Sequence, residues 1–357
     1  MVAGSVVWTS AAHAHIPTGW DFWTMSRQAL STPELRKPAP ISVRSRSGLA
    51  IMLIGAALLA ATMLLGSHIG EYYYLATYTI LQFIVLGTAW NILGGYGGYV
   101  NFGTAGFFAI GCYTTIVLNK IFPMPLFFEM LIAAGTAGVV GFGTGYLTLR
   151  LRGVFFSIAT LALAIVLQTL IVNWSFVGGA RGVYVIRPAI SGFFVSYVQF
   201  LVVLMVGLAI FAVVVAWAVE KSWIGIGLAA IRDDEAAAET SGVPSLRLKL
   251  IATTMSGALM GMAGAPFPYY VTYVDPATAF GLAIAVNTIA MPLVGGTATW
   301  WGPVVGAILL GSAQQILTVT ISSAANLFIV GVLLVVFVTV APRGVVGIVR
   351  GWKRGRK

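Results

Sequence analysis

Charge is what this sequence has least of: Asp, Glu, Lys and Arg together make up 8% of its 357 residues, against roughly 25% in a soluble domain. Hydrophobic residues reach 59%. That balance excludes a soluble enzyme or binding module and points to a membrane protein. Cysteine is missing except for Cys112, which lies in an apolar run, so neither a disulfide framework nor a thiolate metal site is expected. The three histidines, His13, His15 and His68, are scattered and have no carboxylate cluster beside them. His13-Ala14-His15 reads as a polar terminus in preference to a metal site. A Gly-x-x-x-x-Gly-Lys-Ser/Thr phosphate loop is also missing, so ATP hydrolysis is not expected on this chain.

Long apolar runs are what the sequence has instead. About 20 helical residues cross the roughly 30 Å of hydrocarbon in a bilayer, and ten runs come near that length. They are Leu49–Gly66, Tyr74–Leu93, Phe102–Leu118, Leu126–Leu149, Val154–Val172, Ser196–Val219, Leu250–Pro268, Phe280–Val294, Pro303–Val319 and Ala325–Ala341. The eighth is short. The expected fold class is therefore an all-α polytopic membrane protein of about ten transmembrane helices, with a membrane domain over residues 49–342. Residues 1–48 hold Pro17, Pro33, Pro38 and Pro40 and no long apolar run, which reads as a disordered polar arm. Residues 343–357 form a basic tail.

The net charge of +10 has its first explanation in orientation, because positive residues in short loops stay on the cytoplasmic side. With both termini inside and ten crossings, only Lys120, Arg181 and Arg187 of the 20 basic residues fall outside. The tail "RGWKRGRK" then reads as a contact with anionic lipid headgroups in preference to nucleic acid. Arg181 and Arg187, in the outer connection after Trp174, either pair with a partner's acids or are solvated. Asp275, in "YVDPATAF", reads as an Asp-Pro turn at the outer surface in preference to a proton relay.

Four of the few acids, Asp233, Asp234, Glu235 and Glu239, are gathered in the loop between the sixth and seventh spans, residues 220–249. Ala229, Ala230, Ala236, Ala237 and Ala238 favour a helix there. Ile224, Leu228 and Ile231 give it an apolar stripe. Ser241-Gly242 before Pro244 ends it. The expectation is one amphipathic cytoplasmic helix of about four turns, either a solvated link or a docking element whose stripe and acids face a partner.

The run "GIGLAAIRDDEAAAETSGVPSLRLKLIATTMSGALMGMAG", Gly225–Gly264, resembles the cytoplasmic coupling loop of ATP-binding-cassette importer permeases, most closely the branched-chain amino acid permease family. Three further stretches resemble the same family: "WNILGGYGGYVNFGTAGFFAIGCY" (Trp90–Tyr113), "LRGVFFSIATLALAIVLQTLIVNW" with "GGARGV" (Leu151–Val183), and "VGGTATWWGPVVGAILLG" (Val294–Gly311). The wider importer motif is Glu-Ala-Ala, three residues, then Gly; here Glu235-Ala236-Ala237 is followed by four residues before Gly242. The resemblance implies that Leu228, Ile231, Arg232, Asp233, Glu235, Ala236, Ala237, Glu239 and Gly242 couple this chain to an ATPase. It further implies a second permease subunit, two ATPase subunits that carry ATP and Mg, an extracytoplasmic solute-binding protein and a place in the bacterial inner membrane. The chain itself would bind no cofactor.

Two glycine-rich stretches bear on where a solute would pass. Gly94, Gly95, Gly97 and Gly98 interrupt one apolar segment, and Gly295 and Gly296 open the other. Each Gly weakens a helix by about 1 kcal/mol relative to Ala, so broken helices are expected. Broken backbone at membrane depth is tolerated where it lines a cavity; equally, small residues let helices pack closely. Asn91, Tyr96, Asn101, Thr104 and Asn287 supply polar groups near these stretches. The family usually carries Ser and His near the positions of Asn101 and Thr104, which puts the usual substrate in question. An ion-coupled secondary transporter would keep ionisable groups in its spans, and an intramembrane enzyme would need a catalytic constellation; the sequence favours neither. The function expected is therefore an importer permease for leucine, isoleucine and valine, with urea, amides or aromatic acids as alternative cargo.

Overall fold

A computed structural model describes residues 70–148, 153–188, 196–297 and 299–320, with isolated positions at 55, 57, 151, 194, 331, 332, 335, 339 and 344–347. Glu71–Gly97 forms α1, Thr104–Ile121 α2, Leu126–Thr148 α3, Val154–Val172 α4 and Tyr197–Lys221 α5. Two short helices follow, α6 over Trp223–Asp233 and α7 over Glu235–Thr240. The remainder are α8 (Ser245–Gly264), α9 (Phe267–Val271), α10 (Pro276–Ala279), α11 (Leu282–Gly295) and α12 (Gly302–Thr320). The fold is an all-α polytopic membrane protein. Among the described residues the one β element is a two-residue antiparallel ribbon, β1 Val183–Tyr184 against β2 Tyr273–Val274, with Val183 opposite Val274.

Seven helical stretches among the described residues are long and apolar enough to cross a membrane: α1 to α5, α8 with α9, and α10 with α11. These coincide with the second to eighth expected spans. The short eighth reaches crossing length because α10 extends it, to Pro276–Gly295. The ninth expected span corresponds to α12, whose apolar stretch Gly302–Thr318 is shorter. The first and the tenth, but for isolated positions, lie outside the described residues, as do the polar arm and nearly all of the basic tail, so the structure supports seven spans and an eighth apolar helix.

Burial sorts the helices. The apolar window of α1 is 72% buried and that of α4 only 17%, so α1 is core while α4 presents Phe155, Ile158, Ile165 and Leu170 outward, as a lipid-facing helix does. Helix α8 is wedged against α1, α2 and α3. Small residues permit this: a Cβ on Gly111 would strike the Gly261 backbone, and one on Gly257 would press on the Ala137 carbonyl at 3.1 Å. Helix association in lipid relies on such close packing, because no hydrophobic force separates helix from lipid tail.

The helix directions give the bundle two ends. At one, the α4–α5 connection folds onto α9 and β2: Arg187 donates from Nε to the Tyr269 carbonyl (2.7 Å) and from Nη2 to that of Tyr270 (2.8 Å). Arg187 is thus engaged within its own chain. Arg181 is exposed, and its carbonyl accepts from the Tyr273 hydroxyl at 2.8 Å. Asp275 caps α10, accepting from the Thr278 N–H and hydroxyl; this is the Asp-Pro turn that the sequence suggests. The other end carries the acidic loop.

Candidate functional site

The expected four-turn helix is two helices with a bend between them. Asp234 has extended backbone (φ −158°, ψ 110°) and ends α6, while its Oδ1 accepts from the Ala237 N–H at 3.0 Å and starts α7. Aspartate competes for backbone donors better outside a helix than inside one, which is why the alanines do not carry the helix through. At the far side, Gly242 (φ 85°) reverses the chain as expected, and Ser245 opens α8.

The apolar stripe faces inward, which corrects the expectation that it faces a partner. Leu228 and Ile231 are 0% and 3% exposed. Leu228 reaches the last turn of α1, where a Cβ on Gly97 would touch it at 3.3 Å. Arg232 lies along Gly98 and donates from Nη1 to the Gly95 carbonyl at 3.1 Å. Glu235 also turns inward: it takes the Tyr99 hydroxyl on Oε2 and Lys249 Nζ on Oε1. Lys249, 2% exposed, stands over the Tyr99 ring at 4.4 Å from its centre. The pair is shielded from water, so removing one partner would cost about 3–5 kcal/mol.

What remains outward is a distinct surface. Asp233, Ala236, Ala237, Glu239 and Gly242 are exposed. Asp233 meets Arg232 Nε at 3.6 Å with its side chain 77% exposed, a surface pair of small energetic weight. Two exposed alanines between carboxylates make a shallow apolar strip with an acidic border.

The first glycine stretch does not break its helix. Gly94, Gly95 and Gly97 lie inside α1, which stops at Gly98 in left-handed conformation (φ 76°). A Cβ on Gly95 would overlap the Asn91 side chain and the Thr297 carbonyl. The second stretch does separate two helices, α11 and α12, with Gly295 packed on Gly302 and Gly296 at φ 125°. Asn91, Gly95, Tyr96, Gly97, Asn101, Thr104, Gly295 and Gly296 are all buried. Asn91 Nδ2 donates to the Thr299 carbonyl (3.2 Å), and Asn101 Oδ1 accepts the Gly103 N–H (2.7 Å) in the turn that precedes α2. Gly94 is half-buried and Gly98 exposed. Asn287 sits apart, half-buried, and accepts from Gln314 Nε2 at 3.0 Å. The geometry around the α1 end is thus close packing, and it joins both glycine stretches to the acidic loop.

Tyr99, Lys249 and Glu220 were not singled out by sequence. Glu220 Oε2 accepts the Trp300 N–H (2.7 Å) and faces the Tyr96 hydroxyl (3.4 Å), so the end of α5 holds the α11–α12 connection. The available signal was the rarity of charge: in a chain with 10 acids, one at the end of an apolar run is placed for a reason.

The chain matches the family described as "Branched-chain amino acid transport system / permease component" over residues 72–338. It is 29% identical over 268 residues to the high-affinity branched-chain amino acid transport system permease protein LivM of Escherichia coli (strain K12), covering 68% of this chain and 63% of LivM. To the probable branched-chain amino acid transport permease protein LivH of Methanocaldococcus jannaschii it is 25% identical over 276 residues, 71% of this chain and 84% of the relative. To the autoinducer 2 import system permease protein LsrC of Enterobacter sp. (strain 638) it is 27% identical over 226 residues, 61% and 64% of the two chains. The match thus spans less than two thirds of LivM. No solved structure matches the chain.

Proposed function

The chain belongs to the branched-chain amino acid transport permease family, and on that premise we propose that it is the permease subunit of an ATP-binding-cassette importer. It pairs with a related permease, receives solute from an extracytoplasmic binding protein and is driven by two separate ATPase subunits. The observation that carries this reading is the two-sided α6–α7 segment. Its inner side is keyed to the ends of α1 and α8 by Leu228, Ile231 and the Glu235–Lys249 pair, while Ala236, Ala237, Glu239 and Gly242 are exposed to solvent. A solvated link has no use for such rigid attachment. A transmitting element needs it, because a push on the outer face reaches α1 only through stiff contacts.

The glycines of the α1 end serve this transmission by allowing Leu228 and Arg232 to lie against the backbone. Their proposed part in the pathway follows from position: the α6–α7 segment moves the end of α1, and with it Asn91, Tyr96 and the Gly295–Gly302 connection. The family supports branched-chain amino acids as cargo; the LsrC relative indicates that a related architecture serves other solutes, and a binding measurement on the associated solute-binding protein decides between them.

The test substitutes the outer face alone. Ala237→Arg and Glu239→Lys should leave the permease folded in the membrane, since exposed substitutions move stability by less than about 0.5 kcal/mol. Both should reduce copurification of the ATPase from detergent-solubilised membranes. Copurification and uptake equal to the parent's in both variants would remove the coupling assignment.

A further inference from the structure

A cavity at the end away from α6–α7 has a carboxylate behind its wall. Glu129, in the first turn of α3, is 0% exposed. The Tyr269 hydroxyl lies 3.2 and 3.1 Å from its two oxygens, and Asn119 Nδ2 donates to that hydroxyl at 2.8 Å. Among the described residues no Lys or Arg forms an ion pair with Glu129. A carboxylate withdrawn from water without a counter-ion is costly, and inside a membrane such a group marks a place where a cation binds or passes.

The cavity, of about 450 Å³, is lined by Asn119, Phe194, Tyr197, Phe200 and Tyr269, with Leu126 among its apolar walls. Its rings form a connected series: Phe194 to Phe200 at 5.4 Å between centres, Phe200 to Tyr197 at 5.6 Å, and Tyr197 to Tyr269 at 5.8 Å. Aromatic faces around a cavity attract cations through the negative ring quadrupole. Tyr269 lines the cavity and its hydroxyl bonds Glu129, so the carboxylate lies one hydrogen bond behind the wall. Arg187 donates to the Tyr269 and Tyr270 carbonyls, which holds its guanidinium on the α9 backbone and leaves its positive charge in place.

We propose that this cavity binds a small solute carrying an ammonium group on an apolar body, with the cation against Tyr197 and Tyr269 and Glu129 as the buried counter-charge. The binding stands on the cavity itself; its place at the outer mouth of a permease rests on the function proposed above.

Three probes of one shape test it on the purified full-length chain in detergent: 3-methylbutylammonium, the uncharged 3-methylbutan-1-ol and the anion 4-methylpentanoate, followed by calorimetry. The ammonium should bind on the order of tenfold more tightly than the alcohol, and the carboxylate should not bind. Glu129→Gln should erase most of that preference. Tyr197→Leu, at a half-buried wall position, should do the same without touching the carboxylate. Both variants should retain ATPase copurification, so a failure here is separable from a failure of the coupling assignment. Equal binding of ammonium and alcohol by the unaltered chain, binding of neither, or an unchanged preference in both variants would overturn the proposal.

Discussion

At the scale of single residues, the charges that matter most are those buried where charge is scarce. Lys249 is 2% exposed and held by Glu235 and the Tyr99 ring. Breaking a shielded pair from one side leaves an uncompensated charge, whereas replacing both partners with apolar groups is often close to neutral. Lys249→Met should therefore lower the stability of the purified permease by about 3–5 kcal/mol, and adding Glu235→Leu should restore much of the loss. Thermal unfolding of the single and double variants reads this directly. Strictly additive losses would show that the two side chains do not depend on each other. Lys249 was visible in the sequence only as one more basic residue; its partner lies across a turn and its ring contact comes from the α1–α2 connection, so no local pattern reveals it.

Among the elements, the bend between α6 and α7 decides which residues face out. With Asp234 as a cap, α7 starts afresh and turns Ala236, Ala237 and Glu239 away from the bundle. Asp234→Ala removes a cap interaction of about 0.5–2 kcal/mol, and amide exchange over residues 235–240 should accelerate while exchange over α8 stays as it was. Unchanged exchange in α7 would mean that the cap does not define the bend. The existence of a helix here, its stripe and its stop at Gly242 were legible from alanine content, spacing and the Gly-x-Pro sequence. The direction of the stripe was not, because period alone cannot say whether an apolar face meets its own bundle or a partner. The same limit governs the glycines: Gly94 to Gly97 weaken a helix in isolation, yet α1 runs through them because Trp90, Asn91 and Leu228 pack where side chains would otherwise stand.

Across the whole molecule, apolar run length located seven membrane-crossing stretches, since hydrocarbon thickness imposes a length that composition displays. The sidedness is proposed from charge. Lys221, Arg232, Arg247 and Lys249 share the α6–α7 end, while Lys120, Arg181 and Arg187 share the other, and positive residues favour the cytoplasm. Because Cys112 is buried and is the sole cysteine, a Cys112→Ala chain offers a silent background. A cysteine in place of exposed Ala180 should react with an impermeant maleimide in intact cells, and one in place of Glu239 only after the membrane is opened; the reverse pattern would invert the orientation.

The same labelling tests the central claim, that the outer face of α6–α7 is covered by an ATPase. With a cysteine in place of Ala236, the maleimide reaction in opened membranes should be fast for the permease alone and slowed when the ATPase subunits are assembled with it, while a cysteine at Ala180 reacts equally in both. A rate at position 236 that does not change with the ATPase present would contradict the account.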